Sequence, residues 1–430
     1  MRLLFSSRNV PTTAGAFGGF SGVIKMRGIT QFHSQWRKYS TKEPPSPPTI
    51  RLEGRHYPID EWTNLPSHIS SALPRKLHLQ PSHPLSITRR LIESRFPEPA
   101  YQYHNDLSPI VTVHQNFDSL GFPIDHPGRS RTDTYYINKD TVLRTHTSAH
   151  QADTFRTGKS DGFLISADVY RRDAIDRSHY PVFHQMEGAR MWSRGECEAK
   201  GGVAAVIREE MDRMPKHGID EPLRVRWVEA YFPFTSPSWE LEVYWQGNWL
   251  ELLGCGVVQQ SLPKNAGVPD KIGWAFGVGL ERVAMLLFGI PDIRLFWSLD
   301  KRFLQQFKEG RISRFVPFSK YPPCYKDIAF WLPSSSNSTN AAAAGGAGRV
   351  PFHENDMMEI VRNVAGDLAE DVKLIDEFTH PKTGRKSLCF RINYRSLERT
   401  LTNDEVNSLQ QMVKNVLVEE FGAEVRENRK

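Results

Sequence analysis

The chain has 430 residues, of which 39% are hydrophobic, 24% charged and 11% aromatic. This composition excludes a disordered, collagen-like or coiled-coil protein. A chain of this length corresponds to two or three domains that need no disulfide or metal ion to fold. No segment reaches the roughly 18 consecutive apolar residues of a transmembrane helix, so we expect no membrane partner.

The net charge of +6 comes from the first 42 residues, which hold seven Lys or Arg and no Asp or Glu. The remaining chain has 48 basic and 49 acidic residues, so bulk charge gives no argument for a nucleic-acid partner. A basic, acid-free segment rich in Ser, Thr and Gly is typical of an organelle transit peptide, which we predict for residues 1–40. A disordered basic tail is the alternative. Residues 41–100 are predicted to be an N-terminal extension and linker, with a stiff proline-rich stretch at 44–48.

Two short patterns resemble known sites but fail on inspection. Residues 157–160 end like a phosphate-binding loop, but Asp153 stands where that loop requires glycine. His146 and His150 have the spacing of zinc ligands, yet no third ligand is in place. The four cysteines lie 58, 69 and 65 residues apart, so we expect reduced thiols and no zinc.

The first predicted element of the body is a helix over residues 84–96, because Ile87, Leu91, Ile92 and Phe96 recur on one face. From about residue 100 to 317 the signal is mostly strand. Residues 239–245 alternate between apolar and polar side chains, residues 225–232 behave similarly, and Gly247-Asn248 is a plausible hairpin turn. We therefore predict an antiparallel sheet with a few helices over residues 101–317.

Residues 318–430 are predicted to form a last domain, interrupted by a low-complexity insert at 334–348. Its expected elements are strand 326–332, helix 353–369, strands 371–379 and 386–395, helix 403–421 and a short strand at 423–427. Asn403 and Asp404 are candidate N-caps of the second helix. The order βαββαβ is a split ferredoxin-like arrangement. The fold class of the whole chain is thus α+β.

Three segments are dense in side chains that could carry chemistry: residues 145–151, 168–188 and 274–282. Singly, each could be structural. Because all three segments occur in this order on an antiparallel sheet, the chain resembles the class II aminoacyl-tRNA synthetases. Among them, it resembles the single-chain mitochondrial phenylalanine–tRNA ligases. The resemblance runs from about residue 50 to the C-terminus. Its other specific parts are residues 115–120, 232–234, 249–256, 289–294 and 380–384.

The resemblance implies ATP-dependent attachment of phenylalanine to tRNA(Phe) through a phenylalanyl-adenylate, in the mitochondrial matrix. Arg171 matches the arginine of motif 2 and would hold the amino-acid carboxylate and the α-phosphate together. Arg282 matches the motif 3 arginine and would bind the γ-phosphate. These two are the expected catalytic residues. The further residues expected at the ATP are Ser178, His179, Tyr180, Phe183 and Glu251.

Phe183 would stack on the adenine, unless it is an ordinary core aromatic. Glu251 is the expected ligand of the Mg²⁺ that accompanies ATP, because this ion prefers carboxylate oxygens. The motif 2 arginine is followed by Arg172-Asp173 instead of the x-Glu that is common in the class. The mitochondrial type shares this departure.

For the amino acid, Gln185 and Glu187 lie two apart on a strand and face the same way, so they could bind the ammonium group. Phe232 and Phe234 have the same spacing and would flank the substrate ring, although sheet core is the alternative. Ala275 would exclude tyrosine by size, because an apolar pocket discriminates poorly against an added hydroxyl. The full expected set is His146, Ser148, Ala149, His150, Gln151, Gln185, Glu187, Phe232, Phe234, Ala275 and Phe276.

The last domain resembles a ferredoxin-fold anticodon-binding domain. Residues 380–399 hold six basic side chains and one acidic one, and we expect tRNA contacts at Lys382, Arg385, Lys386 and Arg391. The resemblance also implies a monomer. Two alternatives stay open: a non-catalytic RNA-binding protein of synthetase descent, and a ligase for another amino acid.

Overall fold

The computed structural model describes residues 48–157, 160–212, 224–245, 247–317, 321–333 and 352–426. The predicted transit peptide at 1–40 and the insert at 334–348 lie outside the described residues. The elements below all belong to the compact unit Pro47–Lys430. Among the described residues, every helix is too short or too polar to cross a bilayer.

The chain contains sixteen strands and eleven α-helices among the described residues, and the longest strand is β8 with 12 residues. The strands are β1 (Thr49–Leu52), β2 (Arg55–Pro58), β3 (Gln102–His104), β4 (Ile110–Thr112), β5 (Tyr136–Asn138), β6 (Thr141–Leu143), β7 (Gly162–Tyr170), β8 (Val182–Ser193), β9 (Val225–Phe232), β10 (Thr235–Trp245), β11 (Asn248–Val258), β12 (Lys271–Gly279), β13 (Cys324–Trp331), β14 (Ala369–Thr379), β15 (Lys386–Tyr394) and β16 (Glu424–Val425). The α-helices are α1 (Ser67–Ala72), α2 (Pro84–Glu93), α3 (Val113–Asn116), α4 (Gln151–Thr157), α5 (Arg194–Ala199), α6 (Val203–Asp212), α7 (Ser261–Asn265), α8 (Leu280–Phe288), α9 (Lys301–Leu304), α10 (Glu354–Ala365) and α11 (Asn403–Phe421).

A seven-stranded sheet organises residues 48–317, which we call the N-terminal body. Its strand order is β3-β7-β8-β12-β11-β10-β9. Every neighbouring pair is antiparallel except β3 and β7, which run parallel. The predicted antiparallel sheet is confirmed. The parallel pair is formed by β3, a three-residue strand at the edge of the sheet. The connection from β3 to β7 is long enough to allow either direction of pairing.

The two faces of this sheet have different neighbours. All nine residues of β7, the second strand from one edge, are buried, so both faces of the sheet are covered there. On one face Leu164 and Phe276 belong to a large hydrophobic cluster that includes Leu85 of α2 and Phe288 of α8. The other face carries a smaller cluster, which includes Ile165 and Ala275, and it also carries the side chains of the candidate site. We call this second face the open face.

The predicted helix at 84–96 ends earlier than expected, at Glu93, and Leu91 does not face the core. Its exposed fraction is 43%. Ile87 is buried as expected, and the interior side of α2 also holds a charged pair, since Arg89 Nη1 donates to Glu93 Oε1 at 2.5 Å and Arg89 Nε donates to the carbonyl of His78 at 3.0 Å. Because these groups satisfy each other, the buried face of α2 includes them and turns away from Leu91.

The predicted hairpin turn between β10 and β11 is present. Trp245 and Asn248 are paired across it, and Gly247 has a φ of +91°. That conformation is open mainly to glycine, which explains the residue type at the turn. Asn248 is the first residue of β11.

Residues 321–426, which we call the C-terminal module, confirm the βαββαβ order. A four-stranded sheet of order β14-β15-β13-β16 packs with α10 and α11 around one hydrophobic cluster. The first helix is shorter than expected and is followed by a 3-10 turn, Gly366–Leu368. The N-cap of α11 is Thr402, not Asn403 or Asp404, because Thr402 Oγ1 accepts from the backbone N–H of Glu405 at 3.2 Å.

Candidate active site

Two adjoining cavities open above the open face of the central sheet. One, of ≈390 Å³, we call the aromatic pocket because Phe122, Phe232 and Phe234 line it. The other, of ≈230 Å³, we call the arginine pocket because it contains Arg171 and Arg282. Both cavities are bordered by Arg171, Gln185, Glu251 and Gly277. A ligand with an apolar ring at one end and an anionic group at the other could extend through both.

The aromatic pocket is walled by stacked rings. Phe232 and Phe234 lie with centroids 5.9 Å apart and planes at 16°, and Phe122 lies 6.2 Å from Phe234. Gly254 allows this arrangement, since a Cβ there would stand 2.6 Å from Phe232 Cζ. The sequence-based reasoning missed Gly254 and Phe122. A strand glycine is a signal for close approach, but it does not say which ring approaches.

A carboxylate is buried at the polar end of the aromatic pocket. Glu187, 3% exposed, accepts hydrogen bonds from Ser148 Oγ, from Gln151 Nε2 at 2.9 Å and from Thr147 Oγ1 at 3.3 Å. Burial raises the pKa of Glu187 to about 7, although these hydrogen bonds act to lower it. An ammonium group bound here would favour the ionised form of Glu187, because an opposite charge nearby stabilises a carboxylate.

Gln185 and His146 complete the polar end. Gln185 Oε1 accepts from the backbone N–H of Thr147 at 3.3 Å. The ring of His146 stacks on Phe122 at 5.5 Å. Burial, with the positive charge of Arg171 beside it, lowers the pKa of His146 to about 3. The imidazole therefore remains neutral at ordinary pH.

Three expected pocket residues do not present side chains to the pocket. Ala149 packs in a separate cluster with Val111 and Val142. His150 is paired with Arg144, whose Nη1 lies 2.9 Å from His150 Nε2. Both belong to the 3-10 turn Thr147–His150, in which successive side chains point about 120° apart.

Phe276 is the third, and its neighbour Ala275 behaves as expected. The backbone of Phe276 borders the aromatic pocket, but its ring stacks on Phe96 at 5.1 Å beneath the sheet. Gly188 makes room for that ring, since a Cβ at 188 would stand 2.1 Å from Phe276 Cε1. Ala275 faces the pocket and is 4% exposed. Consecutive strand residues point to opposite faces, so both could not line the pocket with side chains.

The arginine pocket brings together the expected Arg171, Phe183, His179, Ser178 and Arg282. Arg171 follows directly after β7, and its Nε donates to the carbonyl of Thr145 at 2.7 Å. Its guanidinium carbon lies 5.3 Å from the centroid of the Phe183 ring. Burial lowers the pKa of Arg171 from its ordinary value, but an arginine remains charged under all ordinary conditions.

Asp176, which the sequence-based reasoning missed, organises the loop that carries His179. Its Oδ1 accepts from the backbone N–H groups of Ser178 and His179 at 2.6 and 2.8 Å, and its Oδ2 lies 2.7 Å from His179 Nδ1. The hydrogen bond to Asp176 raises the pKa of His179, against the effect of burial. Asp two residues before Ser in a loop is a known turn signal that could have identified it.

Arg282 and Glu251 are paired at the outer end of the arginine pocket. Arg282 Nη1 donates to the carbonyl of Glu251 at 2.9 Å and lies 3.4 Å from Glu251 Oε2. Glu240 on the neighbouring strand was not foreseen. Burial and the nearby negative charges of Glu251 and Glu242 raise the pKa of Glu240. Among the described residues, no three His, Cys, Asp or Glu side chains form a ready metal site.

A buried pair also connects β8 to α8, the helix that carries Arg282. Glu281, next to Arg282, accepts from the backbone N–H of His184 at 2.8 Å, and its other oxygen lies 2.7 Å from His184 Nδ1. His184 is next to Phe183 in β8. The pair therefore fixes the start of α8 to β8 behind the arginine pocket.

Tyr180 borders the arginine pocket but uses its hydroxyl elsewhere. The hydroxyl donates to Asp367 of the C-terminal module at 2.8 Å, and the ring stacks on Trp297 at 5.5 Å. The side chain is therefore held between the two parts of the chain.

The basic residues expected to contact RNA lie at the surface of the C-terminal module. Arg385 Nη2 donates to Glu424 at 2.9 Å, Arg391 makes two bonds of 2.8 Å to Asp327, and Lys386 lies 2.9 Å from Glu377. Lys382 is exposed. Exposed ion pairs are weak, so these side chains could exchange partners, but the patch is less positive than its sequence suggests.

Comparison with known proteins agrees with this architecture. The tRNA synthetases class II core domain (F) matches residues 69–307, and the ferredoxin-fold anticodon binding domain matches residues 319–426. The chain is 44% identical to the mitochondrial phenylalanine–tRNA ligase of Saccharomyces cerevisiae, over 91% of this chain and 97% of that protein.

Two further relatives have the same degree of similarity. The mitochondrial phenylalanine–tRNA ligase of Mus musculus is 44% identical over 88% of this chain and 89% of its own. The chloroplastic/mitochondrial phenylalanine–tRNA ligase of Arabidopsis thaliana is 44% identical over 94% of this chain and 96% of its own. With these matches over nearly the whole length, the chain belongs to the family of the mitochondrial phenylalanine–tRNA ligases, which are class II aminoacyl-tRNA synthetases with a ferredoxin-fold anticodon-binding domain.

Proposed function

We propose that this chain attaches phenylalanine to tRNA(Phe) in the mitochondrial matrix, by way of a phenylalanyl-adenylate formed from ATP. The observation that carries the proposal is the position of Arg171, which borders both cavities. A guanidinium there can contact the carboxylate of an amino acid in one cavity and the α-phosphate of ATP in the other.

The aromatic pocket fits phenylalanine at both ends. Phe232 and Phe234 offer ring faces and edges to the benzyl group, and Glu187 with Gln185 offers acceptors to the ammonium group. Ser148 and Gln151 already donate to Glu187 and hold its carboxylate in place. Neutral His146 adds no charge that would repel the ammonium. The amino acid is thus oriented with its carboxylate toward Arg171.

The arginine pocket fits ATP. Phe183 would stack on the adenine, and Gly277 leaves space above the sheet, since a Cβ there would meet no atom within 4 Å. Arg282 would contact the outer phosphates together with His179, whose pKa is raised by its hydrogen bond to Asp176. Catalysis in this arrangement is positioning and charge stabilisation: Arg171 faces the oxygens on which negative charge increases as the carboxylate attacks phosphorus.

Magnesium would enter with ATP. Glu251 and the adjacent Glu240 supply carboxylate oxygens, and Mg²⁺ is usually held by one or two carboxylates together with substrate phosphates. The residues therefore fit this ion. When bound, it would neutralise phosphate charge. No described residue cluster suggests zinc.

We further propose that the chain works as a monomer without a membrane partner, with Lys382, Arg385, Lys386 and Arg391 contacting tRNA. The resemblance to the single-chain ligases supports the first point. The mitochondrial names of the relatives and the basic segment at 1–42 support the location.

The direct test is ATP–pyrophosphate exchange by the purified protein with each of the twenty amino acids. We expect exchange with phenylalanine, with at most weak exchange with tyrosine. Exchange with another amino acid alone would retain the class II chemistry and refute the pocket assignment. A folded protein that binds ATP and exchanges with none would favour the non-catalytic alternative.

Replacement of Glu187 tests the ammonium site. A carboxyl group with a pKa of about 7 is neutral below that pH, so kcat/KM for phenylalanine should rise between pH 6 and pH 8. Glu187→Gln should remove this dependence and lower kcat/KM roughly tenfold or more, because a hydrogen bond to a charged group is lost. Glu210→Gln, at a buried carboxylate outside both pockets, is the control and should keep the wild-type pH profile. A variant Glu187→Gln with an unchanged profile would remove Glu187 from the site.

Ala275→Gly tests the size limit of the aromatic pocket. Removing the methyl group should admit para-substituted rings, so exchange with p-chlorophenylalanine and tyrosine should increase relative to phenylalanine. Ala189→Gly is a matched control, because Ala189 pairs directly with Ala275 across β8 and β12 but lies outside the pocket lining. If both variants, or neither, admit the larger rings, Ala275 does not set the limit.

Charge reversal tests the RNA surface. Lys382→Glu with Arg385→Glu should weaken tRNA binding and reduce its salt dependence, by about one unit of slope for each lost phosphate contact. ATP–pyrophosphate exchange should persist. Lys414→Glu makes the charge change of one of these two substitutions on α11, and we expect it to leave tRNA binding nearly unchanged. Loss of exchange and RNA binding in parallel would indicate misfolding and contradict the assignment.

A further inference from the structure

The loop that joins β7 to β8, residues 171–181, belongs to two parts of the molecule at once. It begins with Arg171 and carries Ser178 and His179, which line the arginine pocket. Other residues of the loop, among them Ile175 and Arg177, contact the C-terminal module. The loop therefore has one side in the candidate ATP site and one side in the domain expected to bind the anticodon.

Ile175 is the deepest of these contacts. It is 7% exposed and belongs to the hydrophobic cluster of the C-terminal module, in which every other described member lies at residue 324 or beyond. The backbone N–H of Val372 in β14 donates to the carbonyl of Ile175 at 3.0 Å. A side chain of the N-terminal body thus completes the core of the module.

Polar contacts secure the loop on both sides of Ile175. Arg362 Nη2 of α10 donates to the carbonyl of Asp173 at 2.6 Å, and Arg177 Nε donates to Glu370 at 3.0 Å. The hydroxyl of Tyr180 donates to Asp367. Residues 173, 175, 177 and 180 of the loop therefore each contact the module, through a backbone carbonyl or a side chain.

Within the N-terminal body, the Tyr180 ring stacks on Trp297, and backbone hydrogen bonds hold the loop near both ends. The backbone N–H of Ile293 donates to the carbonyl of Arg177, and Arg172 N–H donates to Asp133 at the start of the loop. Asp176, directly after Ile175, then makes the turn that orients His179. The direction of His179 follows from where residues 175 and 176 are held.

We propose that the C-terminal module is a structural part of the ATP site, with Ile175 as the positioning residue through which it holds the loop. This inference rests on the proposed function. The docked module supports formation of the adenylate before any tRNA is bound. A loop released from the module would lose conformational entropy when ATP orders it, and this loss would oppose ATP binding. By linkage, ATP binding stabilises the docked module to the same extent.

The test compares three variants of the full chain without tRNA. Ile175→Ala removes the anchor, Ile175→Val conserves it, and Val413→Ala opens a cavity in the same cluster from α11, away from the loop. ATP affinity is measured by calorimetry, and KM for ATP, KM for phenylalanine and kcat are measured by ATP–pyrophosphate exchange. Circular dichroism at the assay temperature confirms that each variant is folded.

We expect Ile175→Ala to weaken ATP binding and raise KM for ATP at least about fivefold, with little change in KM for phenylalanine. Ile175→Val should retain most of the affinity, and Val413→Ala should retain it while lowering thermal stability. Unchanged ATP affinity in Ile175→Ala would overturn the inference, as would equal losses in Ile175→Ala and Val413→Ala. A wild-type protein that binds ATP but does not exchange would refute the proposed function alone, since the affinity comparison still decides this inference.

Discussion

The site depends on a patch of sheet that is left almost without side chains. On the open face, β11 and β12 present Gly254, Ala275 and Gly277, so a ligand can lie directly on the backbone. A Cβ at Gly277 would meet no atom within 4 Å, whereas at Gly254 the ring of Phe232 occupies the space that a Cβ would take. The bare patch thus determines where a substrate can lie, and the side chains around its edge determine which substrate fits.

Charge is distributed along this patch in one direction. The buried carboxylate of Glu187 marks one end, Arg171 the middle, and His179 with Arg282 the outer end. An amino acid is a zwitterion, so only one orientation satisfies both Glu187 and Arg171. Because these groups are held by the sheet and by buried hydrogen bonds, their positions are set before any ligand arrives.

The sequence predicted most of the fold because its strongest signals are local. Alternation indicated the strands of the main sheet, and the order of elements indicated the ferredoxin-like module. The errors arose where neighbours distant in sequence decide the outcome. Leu91 is exposed because Arg89 finds partners in the interior, and the cap of α11 moved by one residue because several polar residues there compete for the same role.

The candidate site was predicted by motif, and its geometry was not. Gln185 and Glu187 share a face because strand periodicity requires it, whereas Phe234 lies in the turn between β9 and β10 and lines the pocket beside Phe232. His150 was assigned to the pocket with its neighbours, although a 3-10 turn directs it toward Arg144. The ion-pair partners of Arg385 and Arg391 lie 39 and 64 residues away in the sequence, and no local sequence pattern predicts such pairs.

The joint between the N-terminal body and the C-terminal module is mostly polar. Arg172 contacts Asp356, Tyr135 donates to Glu359, and both pairs are largely buried. In the hydrophobic clusters of the described residues, Ile175 and Leu397 are the apolar side chains that cross this joint. Buried polar pairs fix orientation more than they add stability, because both groups lose water when they meet. If the two parts separated, water would hydrate their polar faces, and these faces would not associate with other protein molecules. The chain could therefore remain soluble with its module undocked, where a hydrophobic joint would expose an aggregation-prone surface.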